Sequence, residues 1–207
     1  LWGNPLFRWE RMKEDGYAWW LDRVAFQFEI YDVLRLDHFR GFESYYAIPD
    51  GEETARNGRW LPGPGMDFFK TLRRSLGPRR IIAEDLRFLT PAVYQLLADT
   101  GFPGMKVLQF AFDSREESDY LPHNYPRHCV VYTGTHDNDT IMGWMHTASP
   151  EDVRFAWEYL RLTEAEGPNW GMMCGALQSP GDTVILTMQD LLGLGSEGRM
   201  NIPSTLG

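Results

Sequence analysis

The chain has 207 residues, 43% hydrophobic and 24% charged, enough apolar mass for a sizeable core and too much for wholesale disorder. A net charge of -9 gives it no electrostatic reason to seek phosphate backbones or anionic lipids, which argues against nucleic acid and membrane surfaces as partners. No apolar stretch approaches the roughly 20 residues of a membrane span, and two cysteines, Cys129 and Cys174, make no disulfide framework, so a reduced, cytoplasmic compartment is the simpler expectation.

In chain order, residues 16–31 read as a helix carrying Trp19, Trp20, Val24, Phe26, Phe28 and Ile30, with both tryptophans expected in the core. Residues 33–36 read as a strand. The Gly- and Pro-rich stretch 57–65 reads as a loop, in which Trp60 is an apolar aromatic of the kind that often serves binding. A short basic helix over 68–76 leads to a strand at 80–83. Thr90 and Pro91 then form a helix start, Thr as N-cap and Pro at the first helical position. Strands are expected at 105–112, 128–133 and 182–188, and helices at 150–162, capped by Ser149 and placing Trp157 in the core, and at 170–178. Strands with continuous apolar character, alternating with helices, imply an α/β fold with a parallel sheet. Five such strands fit a small doubly wound sheet or the later part of an eight-stranded (β/α) barrel.

Three of these strands end in polar clusters, Arg35 to Gly41, Glu84-Asp85 and Thr133 to Thr140. Taken singly, each has an ordinary explanation: a helix cap at Asp37, a solvated loop pair at Glu84-Asp85, a local turn at His136-Asp137. Together they weigh more, because C-terminal strand ends of parallel α/β folds are where chemistry sits. Cleaving a glycosidic bond with retention needs two carboxyl groups about 5–5.5 Å apart, one to attack the anomeric carbon and one to protonate the leaving oxygen. A third carboxylate steadies the developing positive charge. Arg35, two residues before Asp37, shares its strand face and favours its ionised form. Metal ligation by His136, Asp137 and Asp139, or by His123, His128 and Cys129, fits less well, since no zinc-site spacing is present. Gly193 to Gly198 matches a dinucleotide glycine pattern but lacks the following helix and acidic residue, so no cofactor is expected.

Trp2 to Leu6, Arg35 to Phe42, Ala83 to Leu86, Gly101 to Phe110, Tyr132 to Thr140 and Asp190 to Glu197 jointly resemble amylomaltase, the 4-alpha-glucanotransferase or disproportionating enzyme of glycoside hydrolase family 77. The resemblance implies an α-amylase-type (β/α)8 TIM barrel that moves α-1,4-glucan segments between chains such as maltooligosaccharides, starch or glycogen. It implies Asp37 as nucleophile, Glu84 as acid/base and Asp137 as transition-state stabiliser. Arg35 and His136 match the family's partners around the reactive sugar, and Trp2, Asn4 and Trp60 fall in segments that line its groove. Amylomaltases run to roughly twice this length, so residues 1–207 are expected to form a single incomplete barrel domain holding about strands four to eight, inactive when isolated. An α-glucan hydrolase and a non-catalytic glucan-binding protein are the competing expectations. Arg87 stands where the family usually has Gly, and Pro203-Ser204-Thr205 replaces an expected Pro-Gly-Thr.

Overall fold

The computed structural model describes residues 4–86, 89–113 and 118–205. They form a mixed α/β fold that divides into two compact units, Leu1–Gly104 and Met105–Gly207.

In the first unit, helices α1 (Trp9–Glu14) and α2 (Ala18–Ile30) precede strand β1 (Leu34–Leu36). On α2 only Val24 is fully buried. The core face of α2 runs through Trp20, Leu21, Val24 and Phe28 at helical spacing, and Trp19 falls off that face. Trp20 packs against the core, whereas Trp19 is 49% exposed and lies edge-on to it, beneath the Arg23 guanidinium. The expectation that both tryptophans are core therefore fails for Trp19.

After β1 the chain makes a 3₁₀ turn (Phe39–Phe42) and then an antiparallel ribbon of β2 (Ser44–Ala47) and β3 (Arg59–Pro62), in which Tyr46 faces Trp60. The segment read as a loop at 57–65 thus contains a strand. Pro62 ends it, where a missing amide costs no ladder bond in a two-stranded ribbon. Gly63 permits the exit: its amide donates to Glu43 O at 2.7 Å, and a Cβ there would lie 2.4 Å from Phe42 O.

Helix α3 (Gly65–Leu76) buries Phe68, Phe69 and Leu72 on one face and leaves Lys70, Arg73 and Arg74 outside. Strand β4 (Ile81–Ala83) lies parallel to β1, pairing Leu34 with Ile81 and Leu36 with Ala83. Helix α4 (Pro91–Thr100) starts as expected with Pro91 in its first turn, but the Thr90 hydroxyl caps no backbone amide. Aromatic side chains dominate this core, with Phe39, Phe42, Phe68 and Phe69 in mutual ring contact.

One polar contact anchors the unit's entry. Tyr17, buried and in the left-handed region at φ 61°, donates its hydroxyl to Asp67 at 2.8 Å, and Lys13 pairs with the same carboxylate at 3.2 Å. Burial, then the Asp67 contact, pushes the Tyr17 phenol up; the Tyr17 hydrogen bond, then Lys13, holds the Asp67 carboxyl below its ordinary value. A depressed folded-state carboxyl contributes stability above its unfolded value and loses it as pH falls through the folded one. Asp67→Asn is therefore expected to lower Tm at pH 7, and the gap to the parent is expected to close in a melt series carried below about pH 4.

In the second unit the sheet order is β5 (Gly104–Val107), β6 (Cys129–Tyr132), β7 (Thr183–Ile185), with β6 and β7 parallel and Val131 opposite Val184. The strand expected at 105–112 is shorter, since Leu108–Ala111 turns into a 3₁₀ helix. Helices α5 (Ile141–Thr147) and α6 (Pro150–Leu160) are capped by the hydroxyls of Thr140 and Ser149. Helix α7 (Pro168–Leu177) buries Met172, Met173 and Ala176, and α8 (Met188–Leu191) follows β7. Core side chains include Leu108, Phe112, Val131, Ile141 and both methionines, with Trp157 packed against them. Burying each large one is worth about 1.5–3 kcal/mol. Ser204, where a glycine is expected, sits at φ 65°, a conformation that costs a non-glycine residue roughly 1–2 kcal/mol.

Candidate active site

The first unit builds its polar rim from β1 and β4. Because Leu36 pairs with Ala83, the next residues, Asp37 and Glu84, leave two adjacent parallel strands at the same level. Their backbones are stitched together: Glu84 N–H donates to Leu36 O at 2.9 Å, and Phe39 N–H to Glu84 O at 3.0 Å. The Glu84 carboxylate adds two more ties, accepting from His38 N–H at 2.7 Å and Leu86 N–H at 2.9 Å. His38 reaches it by adopting a left-handed conformation, φ 49° and ψ 50°. Strain of this kind persists where surrounding contacts over-determine it, as functional sites do.

Asp37 differs from Glu84. Its side chain is 76% exposed, and Arg35 holds one oxygen at 2.6 Å. The two share a strand face by their i, i+2 spacing. Asp85 points the other way: it is buried, close enough to Gly104 that a Cβ on that glycine would meet its carboxylate at 2.5 Å. Of the Glu84-Asp85 pair, only Glu84 serves the rim.

The β2–β3 ribbon presents Trp60, 54% exposed. Its ring is backed by the Arg40 guanidinium at 4.2 Å and by Tyr46 edge-on at 5.3 Å. An aromatic face held open and stiffened from behind suits stacking on an apolar ring face. Asn4 lies exposed ahead of α1, and no hydrogen bond among the described residues joins it to Asp37 or Glu84. Trp2 and Arg87 lie outside the described residues.

In the second unit the loop from Thr133 to Ile141 carries His136 and Asp137, both more than half exposed, with His136 Nε2 3.4 Å from Asp137 Oδ1. Asn138 folds the loop back by accepting from the Thr135 amide and hydroxyl, both at 2.9 Å. Sequence reasoning missed the residues that hold this loop: Gln109, Asp190, Arg199 and Asn201. They lie far from it in sequence; Gln109 and Asp190 fall in the segments Gly101 to Phe110 and Asp190 to Glu197 that carry the family resemblance, but nothing in those segments assigns them to this loop. No cluster of three or more His, Cys, Asp or Glu side chains among the described residues is arranged to hold a metal ion.

The profile of the family described as 4-alpha-glucanotransferase matches residues 1–207. The chain is 50% identical to the 4-alpha-glucanotransferase of Clostridium butyricum, covering all of this chain and 42% of that protein. It is 47% identical to the chloroplastic/amyloplastic 4-alpha-glucanotransferase of Solanum tuberosum, over 99% of this chain and 36% of the relative. Its fold superposes on amylomaltase from Streptococcus agalactiae in complex with acarbose with a TM-score of 0.94 at 40% identity, covering 100% of this chain and 42% of that one. The chain thus spans about two fifths of the length of these relatives.

Proposed function

Because this chain belongs to the 4-alpha-glucanotransferase family, glycoside hydrolase family 77, we propose that the protein carrying it transfers α-1,4-glucan segments from a donor glucan to an acceptor glucan. The observation that carries this reading is the pair of carboxylates leaving two parallel strands in register, one exposed and fixed by an arginine, the other fixed by two backbone amides.

Asp37 attacks the anomeric carbon of the donor while Glu84 gives its proton to the departing glycosidic oxygen, and a β-glucosyl ester on Asp37 forms. Glu84, now a carboxylate, takes the proton of an acceptor 4-hydroxyl, whose oxygen displaces Asp37 and restores the α-linkage. Asp137 stabilises the oxocarbenium-like charge, with His136 and Arg35 as partners around the reacting sugar. Arg35 holds the Asp37 carboxylate aimed between turnovers. Trp60, Trp2 and Asn4 belong to the groove; an aromatic wall favours an acceptor sugar over water, on which transfer over hydrolysis depends. Neutral maltooligosaccharides, starch and glycogen need no electrostatic steering and suit an acidic chain. No cofactor enters this chemistry. The free thiols of Cys129 and Cys174 suit a cytoplasmic setting.

We further propose that residues 1–207 form one partial domain of an α-amylase-type (β/α)8 barrel, with β1, β4, β5, β6 and β7 as its strands four to eight and the β2–β3 ribbon as an excursion after the first of them. Large apolar side chains exposed beside β1 (Ile30, Tyr31, Val33) and around β7 (Ile185, Met188, Leu192) support this, since sheet edges flanked by such residues ask for cover.

Incubating the full-length protein with maltotriose tests the activity. Glucose and longer maltooligosaccharides are expected to accumulate while the concentration of reducing ends stays constant. Reducing ends rising in step with bond cleavage would make the protein a hydrolase; binding without turnover would make it a glucan-binding protein.

A further inference from the structure

The loop that carries His136 and Asp137 is gripped by two later parts of its own unit. Asp190, 1% exposed, accepts from the Thr133 hydroxyl at 2.6 Å and from the Ile141 amide at 2.7 Å, so one buried carboxylate ties both roots of the loop. Asn169 fixes Asp190 from behind through its backbone oxygen at 3.0 Å, and Gln109 holds Asp139 O at 2.7 Å. The second grip comes from residues 196–201. Ser196 donates to the Asp139 carboxylate at 2.8 Å and Arg199 to Asp137 O at 3.2 Å. The Asn201 amide donates to two acceptors at once, His136 O at 3.1 Å and Asp137 Oδ1 at 3.0 Å.

The last contact differs in kind from the others, which hold backbone or the neighbouring Asp139. Asp137 is 59% exposed, and an exposed aspartate samples several rotamers. Among the described residues, side-chain contacts to its carboxylate come from His136 Nε2 and the Asn201 amide, both to Oδ1. His136 is itself more than half exposed, whereas Asn201 is tied to the loop backbone by its second bond. A donor anchored in this way selects one rotamer, occupies Oδ1 and leaves Oδ2 for a sugar.

We propose that Asn201 is a positioning residue, acting through Asp137 to set its carboxylate for the transition state. The inference rests on the reading of Asp137 as the charge-stabilising carboxylate. Groups that bear on its ionisation are His136 at Oδ1, Arg199 on its backbone oxygen, and Asp139, which Arg199 also approaches at 3.9 Å.

Three variants of the full-length protein test it. Asn201→Ala is expected to lower kcat by about 10- to 100-fold, the scale of a small misplacement of a reacting group, with KM within twofold and Tm unchanged, since Asn201 is exposed. Asn201→Asp sets a second carboxylate against Asp137; like charges at that distance raise the pair's protonation range, so the acid limb of the kcat profile is expected to move to higher pH. Asp137→Asn is expected to abolish transfer. If Asp137→Asn is dead while both Asn201 variants keep the parent kcat and pH profile, the positioning role is overturned and the reading of Asp137 stands. A rise in KM at unchanged kcat would make Asn201 a sugar contact and also overturns it. An active Asp137→Asn overturns the reading of Asp137, and this inference with it.

Discussion

Asp37→Asn in the full-length protein is expected to lower glucan transfer by about 10⁴-fold or more, the scale seen when a nucleophile is removed, while maltooligosaccharide binding and Tm stay close to those of the parent. The amide keeps the shape of the carboxylate but cannot displace a glycosidic oxygen or carry a glucosyl ester. Folding suffers little. The side chain is 76% exposed, and its ion pair with Arg35 is of the solvent-screened kind worth about 0–1 kcal/mol. Isothermal titration with maltotriose and a transfer assay measure the two halves of the claim. Undiminished release of glucose from maltotriose would remove Asp37 from the nucleophile role.

Glu84→Gln is a poorer probe of the same chemistry, for a reason visible in its contacts. Both Glu84 oxygens accept backbone amide hydrogens, from His38 and Leu86. A glutamine offers one acceptor oxygen and one NH2 group, so one of the two amides would face another donor. That change unsettles the turn that carries His38 at positive φ and places Asp37 beside Glu84. Loss of activity in Glu84→Gln would mix a missing proton with a displaced nucleophile. Asp37, exposed and paired with the half-buried Arg35, is the cleaner probe.

What made the rim legible in the sequence was local. Leu34 to Leu36 and Ile81 to Ala83 are short apolar runs with polar residues directly after them, so the strand-end positions of Asp37 and Glu84 follow from pattern alone. Their register does not, because it depends on Leu36 choosing Ala83 as partner across 46 residues of intervening chain, as the pairing shows. Long-range holding contacts were equally invisible. Nothing near Asp190 says that it binds Thr133 and Ile141, since a buried aspartate looks like a surface one until its partners are known. Mixed periodicity caused the other misreadings. Leu108 to Ala111 continues the apolar run of β5, and an apolar run is compatible with a buried turn as well as with a strand. In 57–65 the glycines and prolines mark the bends at either end of β3, while Arg59 to Pro62 between them pairs with β2.

Expressed alone, the 207 residues are expected to associate or to melt without cooperativity, and to show no transfer. In the fold proposed above, β1 and β7 are the strands left without a second neighbour; among the described residues β1 pairs with β4 alone and β7 ends the order β5-β6-β7. An open strand edge offers its amides and carbonyls to any other chain. Beside these edges stand the apolar side chains of Ile30, Tyr31, Val33, Ile185, Met188 and Leu192, all exposed. At about 25 cal/mol per Å² of apolar surface removed from water, covering them is a strong drive either to self-association or to closure by more of a barrel. Light scattering after size exclusion, calorimetry and the maltotriose assay, run in parallel on this chain and on the full-length protein, separate the two. The full-length protein is expected to melt cooperatively and to transfer glucan. A monomeric, cooperatively melting, active preparation of the 207 residues would defeat the barrel assignment, because closure of the sheet would then add nothing to stability or to the site. Association of the short chain alone would support it, since the same edges that drive the association are the ones a closed barrel pairs.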